Sequence, residues 1–290
     1  KDKGLNWEKI SPDLTTNDPS KLKQHESGGL TPDQTSAENH CTIICISPRQ
    51  DDSSIIWVGT DDGNIQLTID GGDTWELVSK NIRDFPKNAY VAQIIPDVNT
   101  TEGAFAVVNN YRQNDWEPYV YYTSNYGKNW QRIVKERQVS GHCLSLAQDT
   151  EQPSLLFLGT EHGLYVSFDF GANWHLWEND YPQVATQDLQ IHPEENDLII
   201  ATFGRGIYIL DDIQPLRVMA ENLAAFQQRG IYALPADAQY QASLSRPNGE
   251  RFPADHFYEG DNRESGANLY FLSTIPFEKK DGKKVTVTIM

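Results

Sequence analysis

A short motif occurs three times in this 290-residue chain, and its repetition constrains the fold more than any other feature of the sequence. Each copy reads Ser/Thr-x-Asp/Asn-x-Gly-x-Thr/Asn-Trp, and the copies end at Trp75, Trp130 and Trp174. The stretch Asp2 to Trp7 matches the tail of a fourth copy. Repeats of about 40 to 50 residues are typical of propellers and solenoids, so one supersecondary unit is expected to recur along the chain.

The residues of the motif predict a self-fastened β-hairpin turn. An Asp or Asn side chain can hydrogen-bond the backbone two residues on, Gly accepts a positive φ, and Trp brings a large apolar face back into the sheet. We therefore interpret the conserved positions within the three copies as structural rather than catalytic. These positions are Asp70, Gly72 and Trp75, then Asn125, Gly127 and Trp130, and then Asp169, Gly171 and Trp174.

The sequence around each motif predicts a blade of four short strands. Residues 40–79, 90–134 and 142–178 each contain a complete set. Residues 188–210 contain three, and Asp211-Asp212 stands where the next motif is expected, with no closing Trp. Known propellers have about four to eight blades. We therefore expect a partial ring here, and we expect one partner to be a missing N-terminal propeller segment of the same polypeptide.

These patterns predict an all-β fold in two parts. Residues 1–217 are expected to form the incomplete β-propeller, with hairpins fastened by the repeated motif. Residues 218–290 are expected to form a mixed connector and the start of a further β-rich module. Within that connector, apolar residues at helical intervals predict one helix over residues 217–229, and an apolar run predicts a strand over residues 268–272.

The repeated motif resembles the Asp-box, or bacterial neuraminidase repeat (BNR), of β-propellers. Over about residues 1–217 the blades also resemble the sortilin-type and xyloglucanase-type propellers of large secreted bacterial proteins. The matching stretches are residues 7–14, 59–63, 110–112, 118–121 and 201–212. This resemblance implies a secreted or periplasmic setting and a following β-sandwich whose first strand would be Val285 to Met290. It leaves the activity open, because such families contain both glycosyl hydrolases and sorting-receptor-like binders.

A sialidase is not favoured by the sequence. Sialidases place an Arg-x-Pro segment before their Asp-boxes, and no such segment precedes the boxes of this chain.

Composition excludes several classes of partner. The chain has 24 Lys and Arg against 41 Asp and Glu, a formal charge of −17, which disfavours binding to nucleic acid or to an anionic membrane surface. No run approaches the roughly 18 apolar residues of a membrane span. The three cysteines form neither a disulfide framework nor a metal pair, so no metal and no cofactor are predicted.

Strand parity places the candidate binding residues on one face. In a meander, the entrances to the inner strands and the turns between second and third strands lie at the same end. The candidates there are His40, Tyr90, Arg112, Asp115, Trp116, His142, His162 and Arg205. An exposed Trp among charges, as in the turn of residues 111–117, fits sugar stacking or a protein hot spot. Inner-strand capping by the two entrance histidines, and pairing of Arg205 with Asp188, are the structural alternatives.

Two functions follow from this face. We expect a propeller module that binds a protein or polysaccharide ligand there. The alternative is a glycoside hydrolase, which needs two carboxylates astride the scissile bond, and the candidates are Asp62, Glu161 and Asp188. Spacing selects no pair, and Asp62 also fits a turn role beside Gly63. The long segment of residues 11–39 enters the same face and is expected to be a lid or a packed insertion.

Overall fold

The computed structural model describes residues 4–22, 30–31, 34–35, 40–229, 231–234 and 269–273. The chain divides into two compact units, Lys1–Ile213 and Gln214–Met290. In the first unit, a small antiparallel ladder of β1 (Leu30–Thr31) and β2 (Gln34–Thr35) precedes the blades.

Three successive four-stranded antiparallel meanders make up most of the first unit. The first blade comprises β3 (Ile43–Pro48), β4 (Ile56–Thr60), β5 (Ile65–Thr68) and β6 (Glu76–Leu77). The second comprises β7 (Tyr90–Pro96), β8 (Ala104–Asn110), β9 (Asp115–Thr123) and β10 (Gln131–Arg132). The third comprises β11 (Cys143–Gln148), β12 (Leu156–Thr160), β13 (Gly163–Ser167) and β14 (His175–Leu176).

A fourth sheet has three strands, β15 (Thr186–Ile191), β16 (Leu198–Thr202) and β17 (Ile207–Leu210). Among the described residues no fourth strand pairs with β17. The inner strands β3, β7, β11 and β15 contact one another in chain order, so neighbouring sheets pack as successive blades. The predicted all-β propeller architecture is confirmed.

The outer strands are the shortest of each blade. Each of β6, β10 and β14 has two residues, because the Asp-box Trp before it belongs to the turn rather than to the ladder. In the second blade the pairing of β8 with β9 extends as far as Asn110 and Asp115. The turn expected over residues 111–117 is therefore a tight one, with a 3₁₀ helix at Tyr111–Gln113 and Asn114 at a φ of 60°.

Apolar layers fill the spaces between blades. One cluster joins the first and second blades through Trp57, Val91 and Ala106, and another joins the second and third through Phe105, Leu146 and Leu158. A Cβ added to Gly59 would lie 2.5 Å from Val91 Cγ1 and 2.7 Å from Cys45 Sγ. The absence of a side chain at Gly59 therefore allows the inner strand of the next blade to approach this closely.

The three complete Asp-box turns repeat one hydrogen-bond pattern. In the first, Thr68 Oγ1 donates to Asp70 Oδ1 (2.7 Å), the Thr74 N–H donates to Asp70 Oδ1 (2.9 Å), and the Gly72 N–H donates to Thr68 Oγ1 (3.0 Å). The equivalent bonds join Thr123, Asn125, Gly127 and Asn129 in the second, and Ser167, Asp169, Gly171 and Asn173 in the third. These hydrogen bonds join residues of the same turn and stabilise it, as the sequence pattern predicted.

Each Asp-box turn also packs on the blade before it. The indole N–H of Trp75 donates to the Ile10 carbonyl (3.0 Å), and that of Trp174 to the Ile133 carbonyl (3.1 Å). Ile10 and Ile133 each stand three residues after the tryptophan of the preceding copy, Trp7 and Trp130. The Trp130 indole N–H is buried without an acceptor among the described residues, and its ring instead meets the Trp57 ring edge-on at 6.0 Å.

Residues 11–22 pack against the first blade. Leu14 is buried, and its carbonyl accepts hydrogen bonds from the side chains of Asn64 (2.9 Å) and Gln66 (3.2 Å). Thr16 donates through both its N–H and its hydroxyl to Asp62 Oδ2. This part of the predicted segment is therefore a packed insertion. Residues 23–29, 32–33 and 36–39 lie outside the described residues.

The second unit contains two helices where the sequence predicted one. Helix α1 spans Gln214–Glu221 and α2 spans Leu223–Arg229, with Asn222 between them. The Val218 carbonyl accepts hydrogen bonds from both the side chain and the backbone N–H of Asn222 (3.1 Å each). Strand β18 (Ile231–Ala233) pairs with β19 (Phe271–Ser273), close to the strand predicted at 268–272. The strand predicted at Val285 to Met290 lies outside the described residues.

Candidate ligand-binding site

Five side chains from the second and third blades form a continuous stack that we call the aromatic patch. It consists of Tyr90, Tyr111, Arg112, Trp116 and His142. The Arg112 guanidinium lies 4.3 Å from the Tyr90 ring centroid and 4.7 Å from that of Tyr111. Tyr111 in turn lies 4.6 Å from His142 and 5.9 Å from Trp116, and Trp116 lies 5.7 Å from His142.

The patch is assembled where the sequence placed the ligand-binding face. Tyr90 opens the inner strand β7, and His142 directly precedes the inner strand β11. Tyr111 and Arg112 lie in the 3₁₀ turn between β8 and β9, and Trp116 is the second residue of β9. Four of the eight predicted binding residues therefore meet in one stack. Tyr111 was not singled out, although its place beside Arg112 in the same turn was the available signal.

A network around Asp115 fixes the turn that carries Trp116. Asp115 accepts hydrogen bonds from the Asn110 side chain (2.9 Å), the Tyr119 hydroxyl (2.9 Å) and the Glu117 N–H (3.2 Å). Burial would raise the pKa of Asp115, but these hydrogen bonds outweigh it and lower that pKa. Burial and the bond to Asp115 raise the pKa of Tyr119. The ionised Asp115 thus stabilises the hairpin that carries Trp116.

Trp116 is the exposed member of the patch. Its side chain is 49% exposed, and its indole N–H donates to Asn114 Oδ1 at 3.3 Å. Asn114 adopts the left-handed conformation, which Asn tolerates better than most residues and which allows the turn to bring Trp116 beside Tyr111. The ring is held in orientation while much of its surface stays open to solvent.

Glu161 and two histidines border the patch. Glu161 Oε2 lies 3.2 Å from His142 Nδ1 and 3.7 Å from His162 Nε2, and Ser140 Oγ lies 2.9 Å from His162 Nδ1. Burial lowers the pKa of His142, and the nearby Glu161 carboxylate only partly opposes this effect. His142 is therefore mostly neutral at pH 7, and it presents a ring face to Tyr111 and Trp116.

The remaining predicted residues lie apart from the patch. His40 Nδ1 pairs with Asp61 Oδ2 at 3.5 Å, a partner that the sequence analysis did not assign. Arg205 is exposed, and its backbone N–H donates to Thr202 Oγ1. The predicted pairing of Arg205 with Asp188 does not occur among the contacts of the described residues. Asp188 is exposed, and its Oδ1 accepts from the Leu189 N–H.

The three candidate carboxylates have different environments. Asp62 is buried, and Thr16 and Thr60 donate hydrogen bonds to it. Burial would raise the pKa of Asp62, but these bonds lower it. Glu161 contacts the aromatic patch through His142, whereas no contact among the described residues joins Asp62 or Asp188 to it. Of the three candidate carboxylates, the described contacts therefore bring only Glu161 to the patch.

Metal-ligand clusters and membrane-spanning helices are both absent from the described part of the chain. No group of three or more His, Cys, Asp or Glu side chains there is arranged to hold a metal ion. No helix in those residues has the length and apolarity needed to cross a membrane. Cys41, Cys45 and Cys143 are free thiols, and burial raises the pKa of each.

Solved structures with a related fold include several classes of protein. A GH74 enzyme from Niastella koreensis is 14% identical, with 62% of this chain matching 31% of that chain at a TM-score of 0.47. YCF48 bound to D1 peptide is 17% identical. The match covers 59% of this chain and 52% of the YCF48 chain, with a TM-score of 0.44. An auxiliary nutrient binding protein from Bacteroides thetaiotaomicron is 14% identical. The match covers 58% of this chain and 38% of that protein's chain, with a TM-score of 0.44.

The chain spans well under two thirds of such structures, 22% of an ancestral GH74 enzyme in one case. No curated protein sequence matches the chain significantly.

A family model matches the third of the repeated motifs. Residues 165–176, from Tyr165 in β13 to Leu176 in β14, match the BNR/Asp-box repeat. The same hydrogen bonds recur in the turns that end at Trp75 and Trp130, so all three copies share the geometry of the matched one. The narrower resemblance to sortilin-type and xyloglucanase-type propellers stays a prediction. The third motif is thus a BNR/Asp-box repeat by its sequence match, and the sheets that carry the three motifs have the all-β propeller architecture.

Proposed function

We propose that this protein is a binding module that holds a glycan on its aromatic patch, in a secreted or periplasmic setting. The observation that carries the proposal is the half-exposed Trp116, which lies against Tyr111 and His142 beside hydrogen-bonding groups. A sugar ring has an apolar face and a polar rim, so it needs both an aromatic platform and polar side chains around it. The family resemblance of the blades supports the setting outside the cytoplasm.

The polar groups beside the platform match this requirement. Arg112 contributes donors, the exposed His162 contributes a ring nitrogen, and the partly exposed Glu161 contributes acceptors. Aromatic residues are also enriched at protein interfaces, so a protein partner is the competing occupant. We favour the glycan, because Arg112, Glu161 and His162 offer donors and acceptors beside the exposed ring of Trp116.

A glycan array with matched variants tests the proposal. Trp116→Ala removes the exposed platform, and we expect a loss of affinity of about tenfold or more, since each 1.4 kcal/mol corresponds to a factor of about ten. Trp7→Ala is the control, because Trp7 is 91% exposed and lies outside the patch. A blank array for the unmodified protein, or equal affinities of the two variants, would refute the proposal.

The hydrolase alternative has weaker support from the structure. Inverting and retaining mechanisms both need two carboxyl groups about 5 to 10 Å apart, and Glu161 is the candidate that borders the patch. Glu161→Gln separates the two functions. If the protein is a binding module, Glu161→Gln changes its glycan affinity, and neither the variant nor the unmodified protein releases reducing sugar. If the protein is a hydrolase, the unmodified protein releases reducing sugar and the variant loses this activity.

A further inference from the structure

Resting on the proposed glycan site, we infer that the glycan is acidic and that Arg112 binds a ring carboxylate of the uronic acid type. The Arg112 guanidinium carbon lies over two aromatic rings, 4.3 Å from the Tyr90 centroid and 4.7 Å from the Tyr111 centroid. Stacking of this kind leaves the five in-plane N–H donors unused, because a ring face accepts the cation and not its peripheral hydrogen bonds.

The other enclosed arginines of the blades use these donors. Arg49 donates to Asp51 and to the carbonyls of Asp97 and Thr100. Arg132 donates to Glu117 and to two backbone carbonyls, and it also stacks on Tyr119 at 4.3 Å. Arg132 shows that an arginine of this sheet can stack on a tyrosine and have its donors satisfied as well.

Arg112 lacks such acceptors. It is half-buried, and no carboxylate, carbonyl or amide oxygen of the described residues accepts a hydrogen bond from its guanidinium. Glu161, the candidate carboxylate that borders the patch, contacts His142 and His162 instead. A partly desolvated cation without acceptors is unfavourable, and a planar carboxylate that takes two parallel N–H bonds is its best complement.

The position of Arg112 within the stack connects this cation to the sugar platform. Tyr111 contacts Arg112, Trp116 and His142. Arg112 and Trp116 thus share Tyr111 as a neighbour, and in the proposed complex a substituent of a sugar ring on Trp116 reaches the guanidinium. A carboxylate attached to the pyranose ring combines the two groups that this site would recognise, an apolar ring face and a bidentate acceptor.

The overall charge makes the inference easy to test. At −17, the protein repels acidic polymers at long range, so unspecific electrostatics predicts a preference for neutral glycans. A preference for the acid must then come from a short-range contact such as the one with Arg112. The sign of the preference alone distinguishes the two causes.

The experiment compares glycans that differ only in the carboxylate. Octameric fragments of polygalacturonate, alginate and hyaluronan are each titrated beside their carboxyl-reduced counterparts. We expect the unmodified protein to favour at least one acid over its reduced form by about tenfold, the value of one charge-assisted contact of about 1.4 kcal/mol. Arg112→Gln should bind the two forms equally, and Arg112→Lys should keep a reduced preference, since Lys supplies the charge without the planar fork.

The controls separate this inference from the proposed function. Trp116→Ala should weaken both members of a pair and keep their ratio. Thermal melting confirms that each variant is folded, and Arg112→Lys guards against a loss of stacking in Arg112→Gln. If no pair shows an acid preference, or if the preference survives Arg112→Gln, the inference is wrong, while Trp116-dependent binding of the reduced glycans would still support the proposed function. If neither form binds and the array is blank, the proposed function fails.

Discussion

The Asp-box turns and the aromatic patch lie at opposite ends of the strands. The turns at the Asp-box end are alike in the three blades, whereas the turns at the patch end differ. At the Asp-box end, three turns place the same residue types at the same positions and make the same hydrogen bonds. At the other end, the turn between second and third strands differs in every blade. It contains Asp61-Asp62 in the first, Tyr111 to Asn114 in the second and Glu161-His162 in the third.

This difference separates scaffold from site within a repetitive chain. A residue that recurs in every blade has a structural role that every blade requires, such as forming a turn or allowing the next blade to pack closely. The aromatic patch takes Tyr90, Arg112 and Trp116 from one blade and His142 from the next, at positions whose counterparts in the other blades carry other side chains. Function in such a fold is therefore expected where the repeat is broken.

The largest expected effect concerns a scaffold glycine. Gly127 has a φ of +71°, and an added Cβ would lie 2.6 Å from Val78 Cβ in the preceding blade. Gly127→Ala should lower the free energy of unfolding by about 3 kcal/mol, from conformational strain and overpacking together. Gly71→Ala is the matched control, because Gly71 has a φ of +76° and open space around it, so about 1 kcal/mol is expected. Urea denaturation measures both, and equal losses would mean that the contact between blades contributes nothing.

A smaller effect is expected from the Asp-box acid. Asp169→Ala removes the acceptor for Ser167 Oγ and for the Asn173 N–H, and it should cost about 2 kcal/mol. Asp169→Asn should cost about 0.5 kcal/mol, because Asn125 makes the equivalent bonds with its amide oxygen in the second blade. Denaturant unfolding of both variants tests this, and glycan affinity should be unchanged in each. Lower affinity in a fully folded Asp169→Asn protein would break the separation of scaffold from site.

The smallest effect concerns pH at the patch. Burial holds the pKa of His142 below its ordinary value, so the unfolded chain binds a proton more readily than the folded one. Stability should therefore decrease as the pH falls below about 6.5 toward the folded pKa. The groups that face His142 are Glu161, His162, Arg112 and the rings of Tyr111 and Trp116.

Melting temperatures between pH 7.5 and 5.5 test this sign. The His142→Gln protein should show a shallower decrease than the unmodified protein. His175→Gln serves as the control for the loss of a histidine, since His175 is exposed in the outer strand β14 and lies outside the patch. A slope that is steeper in His142→Gln would contradict the assignment.

Local chemistry explains how much of this structure could be predicted from the sequence. The Asp-box turns could be predicted because their bonds join residues two to four positions apart, and alternation gave the strands. Strand parity predicted that Tyr90, Arg112, Trp116 and His142 lie at the same end of the strands, and their ligand-binding role stays a prediction. Contacts between distant residues could not be derived in this way. Examples are the bond from Thr16 to Asp62, 46 residues away, and the left-handed Asn114 that shortens the second-blade turn.

Irregularities in the inner strands were also beyond the sequence pattern. Each inner strand changes register near its start, between Ile43 and Cys45, Val91 and Gln93, Cys143 and Ser145, and Thr186 and Asp188. These bulges re-aim the side chains at the strand entrances, where Tyr90 and His142 lie. Alternation predicts a regular strand, so it misses the irregularity that contributes to the site.

The Asp-box turns pack against residues that come earlier in the chain. Trp75 needs the carbonyl of Ile10, Trp174 needs that of Ile133, and Gly127 is shaped to fit Val78. In each case the partner residue in the preceding blade is synthesised before the turn that packs against it. Each newly synthesised blade can therefore dock on a finished surface, and vectorial synthesis builds the array in the order in which its parts depend on one another.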